Sequence, residues 1–121
     1  MYVVEESLTP VQVKDQGNHY FKNGHFLLAI TYYKHAMEST DDPTLKLILH
    51  SNMAINYINL ELYEDALDHA NHALEIQADH VKSLNRKANA LLYLHRFDES
   101  LEIFMALNDP KNITKVQQMR K

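Results

Sequence analysis

With 121 residues, the chain is long enough for a continuous core, and we predict a single domain over residues 1–121. Its formal net charge of −4 argues against general nucleic-acid binding, which needs an excess of lysine and arginine to displace counterions from phosphates. The absence of cysteine excludes a disulfide framework and fits a reducing compartment, so we expect a cytoplasmic protein. No stretch approaches the roughly 20 apolar residues of a membrane span, and residues 1–6 lack the features of a signal peptide.

The first predicted elements lie between residues 10 and 40. Apolar residues recur there at steps of three and four, which predicts two amphipathic helices. Thr9 and Pro10 are typical of a helix start, because threonine caps free amide groups and proline suits the first helical position. Asn23 and Gly24 predict the break between the two helices, since both tolerate the left-handed backbone that ends a helix.

The same helix-turn-helix pattern recurs at residues 47–78 and again from residue 81. Gly17, Ala54 and Ala88 occupy matching places in the three copies, separated by 37 and then 34 residues. A two-helix unit of about 34 residues is the period of a tetratricopeptide repeat. The matching small and large residues of the copies are Gly17, Ala54 and Ala88; Tyr20, Tyr57 and Leu91; Ala29, Ala66 and Ser100; Tyr33, Ala70 and Phe104; and Ala36, Ala73 and Leu107.

On these residues the chain resembles three tetratricopeptide repeats, at about residues 10–43, 47–80 and 81–109, with a cap at about 110–121. The resemblance implies an all-α fold: a right-handed superhelical array of three helix-turn-helix repeats plus a short C-terminal capping helix. Two departures stand out. The family's tryptophan is replaced by Val13, His50 and Leu84, and a three-residue insertion around residues 40–43 is expected to lengthen the first junction.

The predicted C-terminal helix is only about three turns long. Ile113, Val116 and Met119 form a narrow apolar stripe at helical spacing. Two interpretations stay open. The helix is either a short but sufficient cap for the last repeat, or part of a cap that another segment or chain completes, with weak self-association through this end.

Lys82 and Arg86 are four residues apart, so these two cations share one helical face although they repel each other. In a stack of helix pairs, the first helices line the concave groove, and three residues of the other repeats fall there too. Together they resemble the two-carboxylate clamp of co-chaperone tetratricopeptide-repeat domains. That resemblance implies binding of the C-terminal Glu-Glu-Val-Asp tail of heat-shock protein 90 or 70 chaperones. The implied peptide-binding residues are Lys14, Asn18, Asn52, Lys82 and Arg86.

Neighbouring residues on the same helices are predicted to line the groove. Large apolar side chains there would form a shelf for the residues upstream of the peptide terminus, although such residues more often belong to a core. Polar neighbours would border the groove and influence partner choice. The predicted groove-lining residues are Phe21, Ile55, Ile58, Asn59, Asn89 and Leu92.

Neither a catalytic nor a cofactor signature occurs, so we predict a protein-protein interaction module, with no cofactor and no catalytic residue. His69 and His72 share a helical face, but their place on a second helix without an evident carboxylate partner predicts no metal site. His50 is expected to pack where the family carries tryptophan. Two alternative functions remain: a structural or self-assembling scaffold, and the docking segment of a larger enzyme.

Overall fold

A computed structural model describes residues 7–121, which form seven α-helices and no strand. The helices are α1 (Pro10–Lys22), α2 (Phe26–Glu38), α3 (Pro43–Asn59), α4 (Tyr63–Ile76), α5 (Val81–Tyr93), α6 (Phe97–Ala106) and α7 (Pro110–Met119). Three helix pairs followed by one short helix confirm the predicted array of tetratricopeptide repeats with a capping helix. The predicted domain also includes residues 1–6, and the expectation about a signal peptide falls on them; they lie outside the described residues.

Local sequence explains where α1 begins and ends. The Thr9 side chain accepts a hydrogen bond from the backbone amide of Gln12, and the Gln12 side chain accepts one from the Thr9 amide, which forms a capping box. Pro10 occupies the first turn, and Asn23 caps the end. The predicted start at Thr9 and Pro10 and the predicted break at Asn23 and Gly24 are therefore confirmed.

The inserted residues before α3 do not lengthen the junction as predicted. Asp42 caps the helix by accepting a hydrogen bond from the amide of Thr44 at 3.0 Å, and Pro43 is the first helical residue. An Asp-Pro pair is a favourable helix start, so the insertion becomes an additional N-terminal turn. As a result, α3 has 17 residues where α1 and α5 have 13.

Each helix pair turns through one residue in the left-handed backbone conformation. These residues are Gly24 with φ of 78°, Glu61 with φ of 61° and His95 with φ of 61°. A fourth, Asn108 with φ of 52°, follows α6. Only Gly24 adopts this conformation without a steric cost from a Cβ atom, so the later turns carry a small local strain.

Small residues let the helices pack closely, as the repeat pattern predicts. Ala29, Ala66 and Ala88 are fully buried, and the buried Ser100 hydroxyl donates to the Ala88 carbonyl at 2.7 Å, which ties α6 to α5. The main apolar core runs through α1 to α5. Because α3 contacts both α1 and α5, the three first helices lie side by side and form one face, which we call the groove.

The capping helix closes the far end of the array. Val116 is fully buried in a second apolar cluster with Ala88, Leu92 and Phe104, and Ile113 packs against it. Met119, the third residue of the predicted stripe, stays 38% exposed. Within residues 7–121, no helix has the length and apolar character needed to cross a bilayer.

Candidate peptide-binding groove

A cavity of about 330 Å³ opens on the groove between α1, α3 and α5. Its wall combines amide and cationic side chains with apolar ones. Four of the five predicted clamp residues contribute to this wall, together with two of the predicted apolar residues. The lining residues are Asn18, Phe21, Lys22, Tyr33, Ile48, Asn52, Ile55, Lys82 and Arg86.

Asn18 and Asn52 are held by one hydrogen-bond network at the base of this cavity. The Oδ1 atom of Asn18 accepts from the Tyr33 hydroxyl at 2.6 Å and from Nδ2 of Asn52 at 3.3 Å. The backbone carbonyl of Asn52 accepts from Nδ2 of the fully buried Asn56 at 2.8 Å. With Oδ1 of Asn18 occupied by two donors, its Nδ2 group is the part of the amide left to donate to a ligand.

Arg86 and Lys82 supply positive charge beside the two amides. Nε of Arg86 is buried without a hydrogen-bond partner, and burial lowers the pKa of Arg86 from its ordinary value. The guanidinium nevertheless stays charged, because arginine does not lose its proton in proteins. Among the described residues, no carboxylate lies within ion-pair distance of either cation.

His80 precedes α5 and lines the cavity that adjoins this end of the groove. Burial is the largest cause that lowers its pKa, and the charges of Lys82 and Arg86 lower it further. A nearby cation disfavours a second positive charge, so a neutral imidazole is expected there. The same charges would attract a carboxylate.

Lys14 is the one predicted clamp residue outside the cavity wall. It lies one turn before Asn18 on the same face of α1. Its side chain is 18% exposed, and Nζ lies 3.6 Å from Oδ1 of the exposed Asp15. Such a pair between neighbours at the surface is weak, so Lys14 can exchange it for a ligand carboxylate.

The predicted groove-lining residues divide into three groups. Phe21 and Ile55 line the cavity. Ile58 packs against the main core and Asn59 is exposed at the end of α3. Asn89 donates to the Asn85 carbonyl at 2.9 Å. These three lie outside the cavity wall, and their roles stay predictions.

The prediction for Leu92 is wrong. This side chain is fully buried and packs with Phe104 and Val116 in the second apolar cluster. The repeat pattern assigned Leu92 to an open groove, but the capping helix brings Val116 against it. No ligand can reach Leu92 without displacing α7.

A second cavity of about 390 Å³ adjoins the first and shares Ile48, Asn52 and Lys82 with it. The remaining wall comes from the N-terminal part of α5 and from Ser51, whose buried hydroxyl has no hydrogen-bond partner. The two cavities make the groove continuous along α3. A peptide bound at Asn52 therefore has room on both sides of that residue.

Sequence reasoning missed Tyr33 and Ile48 as parts of the groove wall. The repeat pattern places Tyr33 among the matching small and large residues, and nothing in its spacing signals that its hydroxyl reaches α1. Ile48 lies one turn before Asn52 on the same face of α3, so the clamp spacing could have indicated it.

Three of the eight histidines lie together on the α4 side of α3. We call them the histidine cluster: His50, His69 and His72. The Nδ1 atoms of His50 and His69 are 3.0 Å apart, and the His50 ring stacks on that of His72 at 5.1 Å between centroids. His50 therefore packs in the place expected for it. Its pKa is lowered to about 4, first by burial and then by the other two histidines.

Carboxylates flank one member of this cluster, contrary to the prediction. Nε2 of His72 lies 3.5 Å from Oδ1 of Asp68, and its Nδ1 lies 3.7 Å from Oε2 of Glu75. Both acidic side chains are exposed on the surface of α4. Across residues 7–121, no group of three or more histidine or acidic side chains is arranged to hold a metal ion.

No family model matches the sequence. Among curated proteins, Protein unc-45 homolog B of Xenopus laevis is 31% identical over 114 residues, which are 93% of this chain and 12% of that protein. The mitochondrial import receptor subunit TOM70 of Saccharomyces cerevisiae (strain ATCC 204508 / S288c) is 30% identical over 97 residues, which are 80% of this chain and 15% of that protein. The chain thus spans about one eighth to one seventh of these relatives.

Two solved structures show the same fold. The second tetratricopeptide-repeat domain of Spaghetti (RPAP3), bound to the HSP90 peptide SRMEEVD, superposes with a TM-score of 0.74 at 26% identity, covering 80% of this chain and 87% of that domain. The second such domain of human RPAP3, in complex with the HSP70 peptide SGPTIEEVD, gives 0.77 at 24% identity, covering 93% and 95%. The chain therefore has the tetratricopeptide-repeat fold and is similar to these domains of Spaghetti and human RPAP3.

Proposed function

We propose that this domain binds the acidic C-terminal tail of heat-shock protein 90 or 70 chaperones, ending in Glu-Glu-Val-Asp, through a carboxylate clamp. The proposal is supported by the two similar domains, which bind chaperone peptides with this ending. It is also supported by the chemistry of the groove, where neutral amide donors and cations converge from three helices. The proposed clamp residues are Lys14, Asn18, Asn52, Lys82 and Arg86.

One observation carries the proposal: Lys82 and Arg86 have no carboxylate partner among the described residues, yet they flank two oriented amides. Burying a guanidinium nitrogen without a hydrogen bond costs free energy. A ligand carboxylate would recover that cost and relieve the repulsion between the two cations. A C-terminal aspartate, with two carboxylates a few bonds apart, matches such a site.

Each clamp residue has a distinct proposed role. Asn18 and Asn52 orient the main-chain carboxylate with directional donors, and Lys14 adds charge from α1. Lys82 binds the side-chain carboxylate of the terminal aspartate, while Arg86 binds upstream groups of the peptide. Asparagine adds donors without adding to the repulsion among the cations, which explains why both residue types are needed.

The expected affinity follows from the number of such contacts. Charge-assisted hydrogen bonds contribute about 1.5–3 kcal/mol each. After the costs of association and of ordering the peptide, a few of them suffice for a micromolar complex, near −8 kcal/mol.

The test compares a Met-Glu-Glu-Val-Asp peptide with its C-terminally amidated form by calorimetric or fluorescence titration. We expect micromolar binding of the free acid and at least about tenfold weaker binding of the amide, because the amide lacks the main-chain carboxylate. A scrambled free-acid peptide of the same composition, not ending in aspartate, controls for net charge. Equal affinity for the acid and the amide would falsify the clamp.

For the whole protein, we propose an adaptor that acts in the cytoplasm and has no catalytic activity of its own. A second candidate is the docking segment of a larger protein. It is favoured because this chain covers only a small part of the length of its relatives. One such relative, the peptidyl-prolyl cis-trans isomerase FKBP4 of Bos taurus, is matched over 98 residues, which are 21% of its length. The size of the endogenous protein, measured by immunoblotting, separates the two candidates.

A further inference from the structure

Tyr33 lies on α2, outside the first helices that form the groove, and is 1% exposed. Its ring packs closely against α1 at Gly17. A Cβ atom at residue 17 would lie 2.7 Å from Cε1 of Tyr33, closer than any real contact, so only glycine permits this approach. Gly17 thus brings the Tyr33 hydroxyl within reach of the next residue of α1, Asn18.

The Tyr33 hydroxyl and the Asn52 amide together set which way the Asn18 amide points. Two donors, the Tyr33 hydroxyl at 2.6 Å and Nδ2 of Asn52 at 3.3 Å, meet Oδ1 of Asn18. If the amide were inverted, Nδ2 would face the Nδ2 donor of Asn52 and lose that hydrogen bond, and the Tyr33 hydroxyl would have to change from donor to acceptor. Tyr33 keeps its proton, because burial raises its pKa to about 12, although the Asn56 side chain acts in the opposite direction.

We propose that Tyr33 is a positioning residue for the clamp: its hydroxyl holds the Asn18 amide so that Nδ2 faces the terminal carboxylate of the peptide. The proposal rests on the proposed function and deepens it. Without the hydroxyl, Asn18 keeps the longer bond from Asn52, and its amide can rotate or invert. An inverted amide presents Oδ1 to the ligand carboxylate, which is repulsive.

The test is Tyr33→Phe, which removes one oxygen and keeps the ring that packs on Gly17. Titration with the free-acid and amidated Met-Glu-Glu-Val-Asp peptides should show about fivefold to tenfold weaker binding of the acid. Binding of the amide should be unchanged, so the preference for the acid falls by the same factor. A merely structural role would weaken both peptides equally.

Tyr57→Phe is the matched control, because Tyr57 is also a buried tyrosine but stacks on His69, on the α4 side. It should leave both affinities unchanged. The double variant Asn18→Ala with Tyr33→Phe should bind no more weakly than Asn18→Ala alone, since Tyr33 acts through Asn18.

The possible results separate the two proposals. If the wild-type domain does not distinguish acid from amide, the proposed function fails and the role of Tyr33 falls with it. If the wild type prefers the acid and Tyr33→Phe keeps that preference in full, the role of Tyr33 alone is overturned. Additive losses in the double variant would overturn it as well.

Discussion

The three arginines of the chain occupy two regions that treat positive charge differently. At the C-terminal edge, Arg96 lies 2.9 Å from Oε2 of Glu99, and Arg120 lies 2.8 Å from Oδ1 of Asp98. In the groove, Arg86 is more deeply buried yet has no carboxylate partner among the described residues. The chain's own carboxylates therefore balance the positive charge at the C-terminal edge, whereas the positive charge in the groove can be balanced by the carboxylate of a ligand.

This contrast gives a physical criterion for a binding site in a repeat fold. A surface arginine paired with its neighbour has little to gain from a ligand. An arginine that is partly buried and unpaired has already lost part of its hydration and can gain charge-assisted hydrogen bonds on binding. The burial of Arg86 without a partner therefore argues for a ligand more strongly than the number of basic residues does.

Arg86→Ala should produce the largest effect on binding. We expect the free-acid peptide to bind about 30- to 150-fold more weakly, because a charge-assisted contact worth about 2–3 kcal/mol disappears. Thermal stability should not fall, since an unpaired buried charge is removed; Arg86→Met, which retains more volume, should match or exceed the wild-type melting temperature. Titration and thermal denaturation monitored by circular dichroism check both. Unchanged affinity would show that the unpaired Arg86 contributes no more to peptide binding than the paired arginines at the C-terminal edge.

The histidine cluster adds a third way to accommodate a basic side chain: losing its proton. The folded pKa of His50, about 4, lies below the ordinary value of 6.5, so the unfolded chain binds more protons between these values. The stability contribution is therefore present above about pH 6.5 and is lost as the pH falls towards 4. After allowance for the half exposure of His50, we expect a loss of about 1–2 kcal/mol.

Thermal denaturation at pH 7 and at pH 4.5, for the wild type and His50→Gln, measures this contribution. The glutamine variant should lose less stability on acidification than the wild type, although His69, whose pKa is also lowered by burial, keeps part of the effect. Identical pH dependence in the two proteins would show that His50 is protonated alike in the folded and unfolded chain.

Arg120→Ala should have the smallest effect. Its pair with Asp98 joins two exposed side chains, and such pairs stabilise by about 0–1 kcal/mol. Peptide affinity should stay within twofold of wild type, which also makes this variant the control for Arg86→Ala. A large loss of binding here would mean that the ligand reaches the C-terminal edge.

The repeat period predicted the fold because every helix pair must bury the same kinds of small and large residues. It failed where one copy differs from the others. The turn added to α3 depends on Asp42 and Pro43, a local capping pair that the sequence alone could have indicated. The alignment to the other repeats, which placed the start of the second repeat at residue 47, concealed this earlier helix start. Leu92 was misplaced because the third repeat is covered by α7, a contact that the internal period cannot contain.

The candidate site was predictable only in part, for a related reason. Residues that would touch the ligand lie at helical spacing on the first helices, so Asn18, Asn52, Lys82 and Arg86 could be found from the repeat frame. The contact between Tyr33 and Asn18 joins α2 to α1. It is possible because residue 17 is a glycine, which has no Cβ atom in the way of the Tyr33 ring. Sequence spacing carries no direct signal of such a hydrogen bond.

The left-handed turn residues have a consequence for engineering the array. Gly24, Glu61 and His95 are separated by 37 and 34 residues, the same intervals as the buried small residues of the first helices. Each copy thus has one residue with left-handed backbone at the same place, and only the first copy has glycine, the residue type best suited to it. Glycine at residues 61 and 95 would remove the steric cost of a Cβ atom in the second and third turns, away from Asn18 and Arg86.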